Sequence, residues 1–197
     1  KRATASSIVN CSDINIGKRI CKKIALSYWN NRFKLVYDMQ SYKLNNIFQV
    51  INNKKFTILA DSGDNPTAGG VGNRIDVLEY VFKNNVKNTL FAGIFNKDIF
   101  KELKNRKNKI IIKDNISKKK ISIQIDKFYL KNNNAIVSSN NNTIIFTKYR
   151  KPFHYLSDFK ELNINLKNYK ILVVKSGYLS PELKKLKADN FMILTDG

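Results

Sequence analysis

Apolar residues follow two kinds of spacing along this chain, and the spacing divides it into helices and strands. Between Gly17 and Arg32 the positions Ile20, Cys21, Ile24, Ala25 and Tyr28 recur three and four apart, and Trp29 closes the stripe. This predicts an amphipathic helix with Trp29 in the core. A second helix is predicted over Ser41–Asn52, with Ser41 capping its free N–H groups and Leu44, Ile47, Phe48 and Ile51 on its buried face. Phe56–Asp61 is a short, nearly continuous apolar run, as expected of a strand buried on both sides. A helix over Asp76–Asn84, a strand over Thr89–Phe95 and a short helix capped by Asn96 and holding Ile99, Phe100 and Leu103 come next.

From Lys109 to Lys148 the spacing changes to period two: Ile110 and Ile112, then Ile121, Ile123 and Ile125, then Ile136 and Ile144–Phe146. Asn-rich turns at Asn132–Asn134 and Asn140–Asn142 separate them. A strand over Lys170–Lys175, a helix opening at Ser180-Pro181 and a strand over Phe191–Thr195 complete the chain. The expected fold is α/β, a mixed sheet with parallel βαβ units plus an antiparallel β-meander insertion around residues 109–148. No internal repeat is visible, and residues 1–197 read as one domain.

Composition adds a strong charge to this picture. Lys and Arg number 36 against 15 Asp and Glu, a formal charge of +21. Such a surplus attracts polyanions, which would suit a non-catalytic nucleic-acid or anion-binding module. The surplus, however, is 30 Lys and only 6 Arg, accompanied by 27 Asn and 24 Ile. These three abundant residues share A/T-rich codons, and phosphate and base recognition favours the planar fork of Arg. Compositional drift therefore accounts for the charge better than a nucleic-acid partner does. With 43% hydrophobic residues the chain can bury a core.

No apolar run approaches the roughly 18 to 20 residues of a membrane span, so no membrane partner is expected. The first residues lack the apolar stretch of a signal peptide. Cys11 and Cys21 have no metal-type spacing and are expected to be buried, reduced thiols of a cytoplasmic protein. His154, between Phe153 and Tyr155, is the single histidine and is expected to pack among aromatics. A His- or Cys-rich zinc site cannot be assembled from so few donors.

The segment Asp61-Ser62-Gly63-Asp64-Asn65-Pro66-Thr67-Ala68-Gly69-Gly70-Val71-Gly72-Asn73 joins a buried strand to a helix. In open α/β sheets ligands bind outside the carboxyl ends of strands, where glycines let the backbone approach closely and Asp or Asn offers oxygen. The same residues also build an ordinary Asx- and glycine-rich turn, so both readings stand. No Gly-Lys-Ser/Thr and no GxGxxG pattern is present, which disfavours a nucleotide site.

The Asp64-Asn65-Pro66 triplet with glycines after it, preceded by a strand ending in Asp61, resembles the D-x-x-D-N-P-G-G-G-x-x-G-D loop of the C-terminal domain of microcystinase C (MlrC)-like metallopeptidases. Other landmarks fall in the same order. Trp29-Asn30-Asn31-Arg32-Phe33 is similar to that family's W-x-x-R motif, Asn96-Lys97-Asp98 to its acidic turn, Thr147-Lys148-Tyr149-Arg150-Lys151-Pro152 to its threonine/serine-arginine segment, and Val173-Val174-Lys175-Ser176 to its V-V-K-S strand end. Thr67 and Ala68 replace two loop glycines, Asn73 stands where the family has Asp, and Asn105-Arg106-Lys107-Asn108 replaces a glycine-rich stretch. A degenerate, structural family member would show such departures.

The resemblance implies a zinc-dependent peptidase or amide hydrolase acting on a small peptide or amide substrate, with the zinc held mainly by a preceding N-terminal domain of the same chain. On that reading these 197 residues are a fragment of a longer protein, inactive alone, with no metal ligand of their own. Asp64 and Asn65 would be catalytic, lining the interdomain cleft toward substrate or zinc-bound water. Asp61, Gly69, Gly72, Lys175, Ser176 and Arg150 would bind substrate. Asp61 reads equally as a structural cap, Lys175 as a snorkelling lysine and Arg150 as an exposed residue of the meander. Arg32 is expected to pair with an acidic group or a carbonyl, and the run Lys118–Lys120 to form a solvated hairpin turn.

Overall fold

Alternation along the buried strands sorts the core into two layers, one on each side of a single sheet. A computed structural model describes residues 5–51, 55–105, 108–114 and 116–196. The predicted end of the second helix at Asn52, and the pair Arg106 and Lys107, lie outside these residues. The chain divides into two compact units, Lys1–Asp38 and Met39–Gly197.

The first unit holds α1 (Ile14–Asn31) and a 3-10 turn at Arg32–Lys34. Asp13 starts the helix by accepting hydrogen bonds from the backbone N–H groups of Asn15 and Ile16. Its apolar stripe forms as the spacing predicts, but Gly17 is the sole buried residue of the helix and Trp29 is 60% exposed. Trp29 is therefore not a core residue, because a unit with one long helix offers no second apolar surface to cover the stripe. The Arg32 guanidinium instead stacks 3.9 Å from the Trp29 ring centre and donates to the Trp29 carbonyl. Nor are the thiols buried: Cys11 is exposed and Cys21 half-buried.

The second unit contains β1 (Ser41–Lys43), α2 (Leu44–Val50), β2 (Thr57–Asp61), α3 (Asp76–Lys83), β3 (Thr89–Phe95) and α4 (Ile99–Lys104). These are followed by β4 (Lys109–Lys113), β5 (Lys120–Gln124), β6 (Lys127–Lys131), β7 (Asn134–Ser139), β8 (Asn142–Thr147), α5 (Leu156–Lys160), β9 (Ile171–Val174), α6 (Pro181–Lys184) and β10 (Asp189–Leu194). The main sheet runs β1-β10-β2-β9-β3-β8-β7-β6, parallel from β1 through β8 and antiparallel from β8 to β6. The mixed α/β sheet is as expected, and the period-two stretch splits in two. Strands β4 and β5 form a separate hairpin, while β6, β7 and β8 extend the main sheet.

On one face Leu59, Phe91, Val137, Ile144 and Val173 pack with α2, α3, α4 and the hairpin residues Ile110, Ile112 and Ile123. On the other, Ile58, Ala60, Leu90, Ala92, Leu172 and Val174 pack with Phe153, Phe159 and Leu183. This double burial explains the continuous apolar runs of β2, β3 and β9. Ser41 does not cap α2. It pairs with Met192 in β1, because the open side of β10 takes up this segment, and α2 starts without a side-chain cap. Strand β6 carries consecutive Phe128, Tyr129 and Leu130 rather than an alternating pattern and lies at the sheet edge. Among the described residues no helix is long and apolar enough to cross a membrane.

Asparagine supplies the sharp turns. Asn132 and Asn133, and Asn140 and Asn141, take left-handed backbone at both central positions of their hairpin turns. Gly93 is a further position with left-handed backbone. It lies at φ +88° where β3 shifts register against β8, and a Cβ there would sit 2.9 Å from the Phe153 ring. Gly93→Ala is expected to lower the unfolding free energy by roughly 2–4 kcal/mol through backbone strain and overpacking. Urea unfolding would show this as a reduced midpoint at unchanged slope.

Candidate functional site

Because β2, β9 and β10 run parallel, their carboxyl ends bring Asp61, Lys175 and Thr195 together at one edge of the sheet. Lys175 is the centre of this group. Its ammonium donates to Asp61 Oδ2 at 2.8 Å, lies 3.1 Å from Asp64 Oδ2 and donates to the Arg74 carbonyl at 2.7 Å. Three acceptors match its three N–H bonds. Asp61, Asp64 and Lys175 are 1%, 2% and 5% exposed. Burial by itself would lower the Lys175 pKa, but the charges of Asp61 and Asp64 outweigh it and hold the ammonium above its ordinary value of 10.5.

The second oxygen of each carboxylate is also used. Asp61 Oδ1 accepts from the Thr195 hydroxyl at 2.5 Å. Asp64 Oδ1 accepts from Gly72 N and its Oδ2 from Arg74 N, both at 2.7 Å. The Asp64 carboxylate thus shapes the loop from within and offers no free oxygen outward, a different task from the substrate contact expected of it. Lys175 is likewise enclosed, neither snorkelling to solvent nor exposed to a ligand.

Asn65 is half-buried. Its side-chain oxygen accepts from Thr67 N and the Thr67 hydroxyl, opening a 3-10 turn at Pro66–Ala68. Gly69 ends that turn at φ +93°, and Gly70 lies so close that a Cβ would sit 2.7 Å from Asn65 N. The Asn65 amide nitrogen points to Gly177, where a Cβ would approach it to 3.0 Å. Gly72 takes φ +83°, and its carbonyl accepts from Phe95 N at 2.8 Å, tying the loop to the end of β3. Arg150, exposed, donates to the Gly70 carbonyl at 3.3 Å. Ser176 is buried, with its hydroxyl donated to the Tyr178 carbonyl. The rim therefore consists of the Asn65 amide, the Gly69–Gly70 backbone and the Arg150 guanidinium, above a buried ionic floor.

Sequence reading missed a second ionic group that continues this floor. Arg74, whose backbone N–H and carbonyl serve Asp64 and Lys175, sends its side chain to Asp76 Oδ2 at 2.8 Å and Asp114 Oδ2 at 2.9 Å. Lys119 reaches Asp76 Oδ1 at 2.7 Å, so this residue of the exposed hairpin turn is also an ion-pair partner. Burial raises the Asp114 pKa, but hydrogen bonds from Ser117 and Ile116 and the Arg74 charge outweigh it and pull the group below 3.8. The hairpin β4–β5 is thereby clamped to the start of α3. An Arg-x-Asp pair after the loop is visible in the sequence, but partners forty positions away carry no local signal. The lone histidine is half-buried, its backbone N–H donating to Asp158 and its carbonyl accepting from the Ser180 hydroxyl.

Among the described residues no group of three or more His, Cys, Asp or Glu is placed to hold a metal ion. Asp61 and Asp64 are both committed to Lys175, and Asp76 and Asp114 to Arg74. Zinc, which the family resemblance implies, does not fit the donors present here.

The family described as MlrC C-terminus matches residues 59–107 and 114–197, which include the loop, Arg74, Arg150 and Lys175. The chain belongs to this family. No curated protein sequence matches it. Its fold is similar to that of a provisionally assigned metallopeptidase from Mesorhizobium sp. BNC1, solved by crystallography. The TM-score is 0.68 and the identity 10%, over 92% of this chain and 41% of that one. The chain thus spans less than half the length of that protein. In the MlrC C-terminus family match, β2 enters at Leu59 and the run continues through β10, so the whole ionic floor lies inside it.

Lys175→Met is expected to lower stability at pH 7 by about 3–5 kcal/mol, because it strands two buried carboxylates. The deficit is read as a lowered urea midpoint at unchanged slope. In the unaltered protein the pH profile follows the shifts. Lys175 is raised, so its contribution is full below pH 10.5 and fades as pH climbs through its folded value. Asp114 is lowered, so its contribution is full above pH 3.8 and fades as pH falls through its folded value. Thermal midpoints across pH should show a plateau that declines on both sides.

Proposed function

We propose that this chain is the C-terminal domain of a metal-dependent peptidase or amide hydrolase of the microcystinase C type, and that it supplies the substrate-facing loop rather than the metal. The observation that carries this reading is the rim: a half-buried Asn65 amide and an exposed Arg150 guanidinium held on either side of a glycine-bearing turn at the carboxyl edge of a parallel sheet. Membership of the MlrC C-terminus family supports it, as does the fold likeness to the Mesorhizobium protein.

Asn65 is the group that donates to a peptide carbonyl through its amide nitrogen. Arg150 pairs with a substrate carboxylate, for which its planar fork is suited. Gly69, with no atom within 4 Å of where a Cβ would stand, leaves room for close backbone approach, whereas the space at Gly72 is taken by Pro66 and Phe95. Asp61, Asp64, Lys175 and Ser176 are positioning residues that hold the loop and strand ends in place. Zinc would be carried by another domain of a longer chain, as the family resemblance implies. Two free thiols agree with a reducing, cytoplasmic setting.

The test is made on the longer chain, with its other domain attached, against a panel of small peptides and amides. Hydrolysis abolished by chelation and restored by zinc is expected. Asn65→Ala and Arg150→Ala are each expected to lower kcat/KM about 10- to 100-fold with metal content unchanged. Absence of hydrolysis in the zinc-loaded protein, or full activity in both variants, overturns the reading.

A further inference from the structure

One half-buried acid of this chain stands without a counter-ion. Asp61, Asp64, Asp76, Glu79, Asp114, Asp158 and Asp189 are buried or half-buried, and each has a lysine or arginine nitrogen within 3.6 Å. Glu102, half-buried on α4, has no such partner among the described residues, although Lys and Arg outnumber acids 36 to 15. A carboxylate held partly out of water is favoured by a cation beside it.

Glu102 lines a cavity of about 280 Å³ between the end of the loop, the end of β3, α4 and β4. Asn73 lines it too, and its buried Oδ1 has no hydrogen-bond partner. Two acceptors without donors thus share one cavity. Phe95 and Ile111 add apolar wall, while Lys97, Asp98 and Lys113 are exposed, where water and salt screen their charges. The cavity adjoins the rim: Gly72, next to Asn73, accepts from Phe95 N, and a Cβ on Gly72 would stand 3.9 Å from Arg150 Cγ. Pockets for whole drug-sized ligands begin at roughly 300 Å³, so this one suits a single side chain.

We infer that the cavity is a specificity pocket beside the rim and receives the cationic side chain of an arginine residue in the substrate. The guanidinium brings the positive charge that Glu102 lacks and N–H donors for Asn73 Oδ1, and an aromatic wall at Phe95 suits a flat cation. This rests on the reading of the Asn65–Arg150 rim as a substrate site.

The test titrates the 197-residue chain, to which every wall residue belongs, with Nα-acetylarginine and with the uncharged, nearly isosteric Nα-acetylcitrulline. NMR signals of the Asn73 side-chain amide and the Glu102 backbone amide report occupancy. Saturable shifts of both are expected with the arginine compound, and about 10-fold weaker binding of the citrulline compound. Glu102→Gln should abolish that difference, and Asn73→Asp, which adds a carboxylate to the wall, should widen it. Equal affinity for the two compounds, binding that leaves both signals unmoved, or no binding overturns the inference, as does an unchanged preference in Glu102→Gln. Binding is read without turnover, so a selective pocket with no hydrolysis in the longer chain removes only the enzymatic reading. Hydrolysis without arginine selectivity removes only this one.

Discussion

A buried ammonium between two carboxylates and a carbonyl holds the carboxyl edge of this sheet together. Lys175 leaves β9, Asp61 ends β2, Asp64 lies three residues into the loop, and the Arg74 carbonyl stands just before α3. None of these groups could be buried singly without a large desolvation penalty. Together they satisfy one another, and the third N–H of Lys175 selects the backbone of Arg74 rather than solvent. The loop is therefore fixed from beneath by charge, and its outer surface is left to Asn65, the glycine backbone and Arg150.

Arg74 extends the same constraint sideways. Its main chain belongs to the floor of the loop and its side chain to the Asp76–Asp114–Lys119 group, so one residue joins the candidate site to the β4–β5 hairpin. That hairpin contributes Ile110, Ile112 and Ile123 to the core layer shared with α3. Packing on one face of the sheet and the geometry of the loop are thus set by a continuous run of ionic and apolar contacts.

The parts of this arrangement that were readable beforehand are those with local signatures. Strand β3 occupies Thr89–Phe95 as its apolar run indicates, Ser180-Pro181 opens α6, and Asn96 accepts from the N–H groups of Asp98 and Ile99 ahead of α4. The Asp61–Asn73 loop was recognisable from glycine spacing and its triplet. What could not be read was the direction of its carboxylates. Inward or outward orientation of Asp64 depends on Gly72, Arg74 and Lys175, the last of these 111 positions later in the chain. Ser41 misled for a related reason: a hydroxyl ahead of an apolar run caps a helix only if no open strand competes for its backbone, and β10 does. Trp29 followed a valid periodicity, but periodicity marks which face is apolar and not what lies against it.

The lysine surplus has one consequence at the far end of the sheet. Strand β6 is an edge strand with exposed Phe128 and Leu130, the sort of surface on which further strands can add. Lys127 and Lys131 bracket it symmetrically about Tyr129. Antiparallel addition of an identical strand centred on Tyr129 would set each lysine against its counterpart from the other molecule, like charge directly opposite like charge. Whatever origin the lysines have, at this position their repulsion disfavours addition of an identical strand in that register.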